Sequence, residues 1–369
     1  MVQQAGKPVT GKAFVGRKAE LALLENYLEL GQSVAIIAPR RFGKTSLVLE
    51  ALRQTKDKKT YTAYIDIFAN PTLEQLATSI TREVLRNHSL HRNFQAARKN
   101  IRALFQQVEL KAVLEDFQFI LGFADPQRDP WELVSDSIDF VDAFAAKHSK
   151  KIMCAYDEFG DVQKFGAKHE LVKLFRSKIQ QHENSTYLFS GSYESVMNEM
   201  FVNSKAPFHR LTRILQLGYM EETDFMDYLR MQFMEMKIPN AESMPKTVMD
   251  ITRGHPYYGQ LALQQVMVMN ALGEKTPGRK ELIRRLLFVE QGYLTKVWEE
   301  ISGNREFVHT LMALAEHPDH LYSRLRKKNI NVARAVKQLE GKGILLKSPL
   351  AGLVIADPLF QEWIKENLL

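Results

Sequence analysis

Nine consecutive residues, Ala38-Pro39-Arg40-Arg41-Phe42-Gly43-Lys44-Thr45-Ser46, have the types and spacing to hold a polyphosphate. They fit GxxxxGK[ST] with Ala38 at the first glycine. A loop between a strand and a helix turns successive backbone N–H groups toward an anion. A helix starting near Lys44 adds the positive end of its dipole. In that setting Gly43 lets the backbone approach the phosphates, the Lys44 ammonium reaches the β and γ groups, and the Thr45 hydroxyl is a ligand for Mg²⁺. Pro39, Arg40, Arg41, Phe42 and Ser46 complete the candidate cradle. Position 38 calls for a small residue more than for a left-handed one, a requirement alanine meets.

The second chemical feature is Asp157-Glu158, two acids that close the apolar run Ile152-Met153-Cys154-Ala155-Tyr156. Ligands gather at the carboxyl ends of parallel strands, which sets Asp157 beside the phosphate loop, where it holds Mg²⁺ through water. Glu158 then accepts a proton from the attacking water or orients it. The chemistry implied is Mg²⁺-dependent hydrolysis of ATP to ADP and phosphate. A kinase of small acceptors is the rival enzyme, but its acceptor and lid residues have no evident counterpart here. A nucleotide-binding scaffold with negligible turnover also fits, because both acids can serve Mg²⁺.

These residues need a sheet to carry them, and the sequence supplies one. The wholly apolar run 33–38 (SVAIIA) reads as a strand buried on both faces. Further strands are expected at 61–68, 151–156, 186–190 and 213–217, alternating with helical patterns such as Leu21, Leu24 and Leu28. That alternation predicts an α/β fold with a parallel sheet and crossover helices over 1–217. Residues 218–303 read as a helical lid, broken at Arg253-Gly254-His255-Pro256. In the third unit, 304–369, three helices and a hairpin spell a winged helix, with Asn331 as an N-cap and Val332, Val336 and Leu339 on one face of the third helix. Residues 85–135 are assigned no chemistry.

Composition narrows the class. The 369 residues are 45% hydrophobic and 25% charged, the balance of a globular protein. One cysteine, Cys154, excludes an internal disulfide or a Cys-rich zinc site. No apolar run is long enough to span a bilayer, and the first residues lack the apolar core of a secretory signal. The expectation is a soluble cytoplasmic protein without membrane partners. A formal charge of +7 is compatible with nucleic acid without demanding it.

In the order of its motifs the chain resembles AAA+/STAND P-loop ATPases, most closely the archaeal-type ATPase family with a C-terminal winged helix. The carriers are Phe14-Val15-Gly16-Arg17 with Glu20, the phosphate loop, Tyr156-Asp157-Glu158-Phe159, Ser190-Gly191-Ser192, Gly254-His255-Pro256 and Asp357-Pro358-Leu359-Phe360. The resemblance implies a P-loop NTPase fold with a helical lid, ATP or ADP as ligand, and Mg²⁺. It implies that Val15 and Arg17 lie beside the adenine, that Ser192 is the polar sensor near the γ-phosphate, and that His255-Pro256 open a lid helix over the nucleotide. Arg210 resembles the family arginine that precedes the fifth strand, reaching a nucleotide in its own subunit or in a neighbour. The chain departs from many AAA+ proteins in carrying serine where they carry a sensor asparagine.

Two classes of partner follow. Arg324, Arg326, Lys327, Lys328, Arg334 and Lys337 crowd the second and third helices of the last unit, with Glu340 the one acid between 321 and 345. A third helix bearing Arg334 and Lys337 can enter a major groove while its neighbours meet phosphates. That reading makes a DNA-associated ATPase whose nucleotide state controls assembly. The alternative is a signalling switch whose lid and winged helix engage a protein partner or a second copy of the chain.

Overall fold

The computed structural model describes residues 5–55, 60–87, 128–166, 169–238, 242–317, 321–325, 330–348 and 352–369. Five parallel strands form the first layer: β1 Ser33–Ile37, β2 Thr60–Asp66, β3 Lys151–Asp157, β4 Ser185–Gly191 and β5 Thr212–Gln216, in the order β2-β3-β4-β1-β5. β3 is buried from Ile152 to its end, as expected of a central strand covered by helices on both faces. Helices α1 Lys18–Glu29 and α2 Lys44–Thr55 pack on one face, where Leu21, Leu24 and Leu28 are buried at the expected spacing. Helices α3 Leu73–Leu85, α4 Pro130–Lys147 and α5 Glu170–Ile179 cover the other. α3 starts at a capping box, Thr72 with Gln75, and α4 at Asp129 followed by Pro130, so local chemistry fixes both starts.

A short helix, α6 Glu194–Met197, and a π-helical turn at Asn198–Val202 lead from β4 to β5. The chain then becomes helical: α7 Glu222–Met236, α8 Met244–Thr252, α9 Pro256–Ala271 and α10 Arg279–Ser302. The last stretch holds α11 Arg305–Glu316, α12 Leu321–Leu325, α13 Val332–Gly341, an antiparallel hairpin of β6 Leu345–Ser348 and β7 Gly352–Ile355, and a closing helix, α14 Pro358–Leu368. Asn331 caps α13 by accepting from the Arg334 N–H, and Val332, Ala335, Val336 and Leu339 form its buried stripe. α14 has no counterpart in the sequence reading; Asp357 caps it and Pro358 fills its first turn.

One hydrophobic cluster runs from Met220 through Leu286 and Leu311 to Ile364, so the helices after β5 and the C-terminal unit share a single core. Three further side chains fasten that unit to the region around the phosphate loop. The Tyr219 hydroxyl donates to the carbonyl oxygens of Ile355 and Ala356, the Arg253 guanidinium donates to Ile355, and the Tyr258 hydroxyl donates to Asp357 Oδ2 at 2.6 Å. Among the described residues no helix is long and apolar enough to cross a membrane.

Candidate functional site

The loop 38–43 joins β1 to α2, and its geometry follows from its sequence. Gly43 sits at φ +85°, in the left-handed region that glycine enters without a steric cost. Arg41 sits at φ +68°, an uncommon conformation for a residue with a Cβ. α2 begins at Lys44, so the lysine projects from the positive end of a helix. Its side chain is buried and Nζ donates to the carbonyl oxygens of Ala38 (3.1 Å) and Pro39 (2.9 Å). Burial pulls the Lys44 ammonium down to about 8, against the opposing charges of Glu158 and Asp157. A desolvated cation resting on its own loop gains most from an arriving anion.

Asp157 ends β3 almost wholly buried, and its carboxylate accepts from four donors. Thr45 Oγ1 (2.7 Å) and the Tyr64 hydroxyl (2.8 Å) meet Oδ2; Ser190 Oγ and the Glu158 N–H (3.1 Å) meet Oδ1. Thr45 and Asp157 are hard oxygen donors in direct contact at the foot of the loop, a set that suits Mg²⁺ completed by water and phosphate oxygens. Tyr64 and Ser190 were not foreseen from sequence. The signal for each was available: Tyr64 shares a face with Asp66, which pairs in register with Asp157, and Ser190 shares a strand face with Ser192.

Glu158 lies at φ +50°, a left-handed turn held by the next residue. Phe159 is fully buried, its ring 4.7 Å from Phe189 and 5.3 Å from Phe175, edge to face. That plug turns the Glu158 carboxylate back toward the end of β4, where Oε1 accepts from Ser192 Oγ (2.7 Å) and Oε2 from the Ser192 N–H (3.2 Å). A left-handed non-glycine residue costs about 1 kcal/mol or more and persists where its surroundings over-determine it.

Above these groups lies a cavity of about 450 Å³. Val15, Arg17, Arg40, Arg41, Phe42, Gly43, Lys44, Thr45, Ser46, Glu158, Ser192 and Pro256 all line it. Phe14, Met220, Phe225 and Tyr228 add apolar lining, and residues 6–9 line it as well. That N-terminal stretch is tied to α2, since the Val9 N–H donates to Ser46 Oγ and the Gly11 N–H to Glu50.

Several expected ligands stand elsewhere or do something else. Pro39 and Asp157 are not in the cavity wall; Asp157 acts from beneath, through Thr45. Arg17 lines the cavity, but its guanidinium is spent on Glu20 and on the carbonyl oxygens of Phe42, Gly218 and Tyr219, so it ties the loop to the segment that follows β5. His255 is buried behind Phe42, with ring centroids 4.6 Å apart, while its neighbours Pro256 and Tyr257 face the cavity. Among the described residues its Nδ1 has no hydrogen-bond partner, and burial together with the charges of Arg41, Arg17 and Arg253 pushes its pKa down to about 3. The Arg41 cation turns to α9 and α10, between the rings of Tyr257 (4.2 Å) and Tyr293 (4.4 Å) and paired with Glu290. Arg40 leans over Tyr193, and both line the cavity. Arg210, at φ +63°, precedes β5, whose Thr212 pairs with Ser33 at the start of β1. It therefore sits at the opposite end of the sheet from the loop after Ile37, away from the cavity.

In the C-terminal unit Arg334 and Lys337 project from the exposed face of α13. Arg334 pairs with Glu306 (2.8 Å) and Arg324 with Glu316. Arg326, Lys327 and Lys328 lie outside the described residues.

The family described as "ATPase domain predominantly from Archaea" matches residues 14–260. The chain has no match among curated proteins. Among solved structures it is similar to the Walker-type ATPase of Pyrococcus abyssi, with a TM-score of 0.67 and 17% identity over 98% of this chain and 99% of that one. It is also similar to the ORC2 protein of Aeropyrum pernix in its ADPNP-ADP complexes, with a TM-score of 0.54 and 12% identity over 97% of each chain. At these identities the likeness establishes the fold.

Proposed function

The chain belongs to the family of ATPase domains found predominantly in Archaea, and from that premise we propose a Mg²⁺-dependent ATPase whose nucleotide state controls assembly on DNA. One observation carries the hydrolytic half: Lys44, Thr45 and Glu158 converge on one wall of a single cavity, with Asp157 directly behind Thr45. Lys44 exchanges its two loop carbonyls for the β- and γ-phosphates. Thr45 and Asp157 would hold Mg²⁺, whose charge, when bound, would offset that of the phosphates. Ser192 turns its hydroxyl and N–H to the γ-phosphate and so gives up Glu158. The freed carboxylate takes a proton from water as that water attacks the γ-phosphorus and the bond to the ADP oxygen breaks. The apolar lining of the cavity, with Val15 in the wall, suits the adenine.

The DNA half rests on the C-terminal unit, which we read as a winged helix. Its three helices, hairpin and exposed Arg334 and Lys337 support that reading. Solvent-exposed ion pairs such as Arg334 with Glu306 contribute little to stability, so phosphates can compete for these cations. A second reading, a switch that docks a protein partner, is favoured by the bonds of Tyr219, Arg253 and Tyr258 that fasten the unit over the lid. Binding of labelled duplex DNA at two salt concentrations, with ATP and with ADP, separates the two. Affinity that falls steeply with salt and drops in an Arg334→Ala, Lys337→Ala double variant supports the DNA reading. Absence of salt-sensitive binding in either nucleotide state leaves the protein-partner switch.

A further inference from the structure

We infer that Tyr64 is a positioning residue for the metal site, acting through Asp157. The inference rests on the ATPase reading and deepens it. Asp157 is 3% exposed, and an ionised carboxylate taken that far from water must have its lone pairs matched by donors. An ionised carboxylate offers about four acceptor directions, and here each is used. The Glu158 N–H is a neighbour in the chain and Thr45 belongs to the phosphate loop, so both move with the parts they serve. Tyr64 and Ser190 are different: they come from the strands on either side of β3 and grip the carboxylate from opposite edges.

Sheet pairing makes the grip rigid. Tyr64 pairs with Ala155 and Asp66 with Asp157, so the phenol leans along the sheet toward the end of β3. Its hydroxyl can only donate to a carboxylate, and the bond fixes the rotation of the Asp157 carboxyl about its terminal torsion, which is otherwise broad. A carboxylate held at one angle keeps the Thr45 hydroxyl at the position from which it would meet the metal; a free one holds it there only part of the time. Shell residues of this kind tune metal affinity by roughly ten- to a hundredfold.

The test is titration of Mg²⁺ into wild type and Tyr64→Phe with a fluorescent ADP analogue, starting from EDTA. Phenylalanine keeps the ring and its packing. The expected result is equal affinity for the analogue in EDTA and a Mg²⁺ requirement raised about tenfold in the variant. Ser190→Ala, which removes the opposite grip, is expected to act in the same direction. A Tyr64→Phe requirement equal to wild type, or lower, overturns the inference while leaving the ATPase reading intact. Affinity lost equally in EDTA and in Mg²⁺ also overturns it, since that is the mark of a merely structural role. Wild type that binds the analogue without any dependence on Mg²⁺ overturns the metal assignment of Thr45 and Asp157, and the inference with it.

Discussion

Arg41 of the phosphate loop forms an ion pair with Glu290 of α10, 249 positions later in the chain. The carboxylate is 5% exposed and also accepts from the Tyr257 hydroxyl, while the guanidinium lies between two tyrosine rings. A residue of the phosphate cradle thus spends its charge on the helical layer that shares a core with the C-terminal unit.

Removing one partner leaves the other's charge without its match, at a cost of about 3 kcal/mol. Arg41→Met is expected to lose roughly that much stability in denaturant unfolding and to release bound ADP several-fold faster. The double variant Arg41→Met, Glu290→Gln is expected to recover part of the stability, because no unpaired buried carboxylate remains, but not the slow release. Additive losses in the double variant would mean that the two residues do not act as a pair.

His255 makes stability depend on pH. Its folded pKa, about 3, lies below the ordinary value of 6.5, so between these limits the unfolded chain binds a proton that the folded chain does not. Stability must then rise with pH across that window and fall as pH drops below about 6.5, by roughly 1.4 kcal/mol per unit. At pH 5 the loss from this group is about 2 kcal/mol. His255→Asn, which has nothing to protonate, is expected to flatten the slope of unfolding free energy between pH 5 and 6.5; an unchanged slope would assign it to other groups.

Arg210 stands too far from its own cavity to serve there, so a role in hydrolysis has to be played on a neighbouring subunit. If it is, mixing inactive Arg210→Ala with inactive Lys44→Ala restores turnover, to about a quarter of wild type for a two-fold assembly in which each site draws on both chains. No recovery in a mixture that still assembles would remove Arg210 from catalysis.

Legibility in the sequence followed the distance over which each feature is determined. Gly43, Lys44 and Thr45 are tied by local backbone geometry, and the strand that delivers Asp157 and Glu158 is an unbroken apolar run, so both were readable from spacing. The Asn331 cap was readable for the same reason. What Arg41, Arg17 and His255 do was not: each is a motif residue by position, yet its partners are Glu290, Gly218 and Phe42, which only the folded chain brings together. Tyr64 depends on β2 lying beside β3, a strand order that parallel topology leaves open until the crossovers are known. The shared core of lid and C-terminal unit escaped the reading because a compositional change near residue 303 does not reveal which apolar faces meet.

The account turns on Glu158 as the group that activates water, released from Ser192 when the γ-phosphate arrives. The most direct measurement is ATP binding and hydrolysis by wild type and Glu158→Gln in the presence of Mg²⁺, with Lys44→Ala as the variant that cannot hold phosphate. Glutamine keeps the size and the contact to the Ser192 hydroxyl but cannot take a proton. The account predicts ATP affinity close to wild type and turnover reduced about a hundredfold or more. Turnover equal to wild type in Glu158→Gln would contradict it.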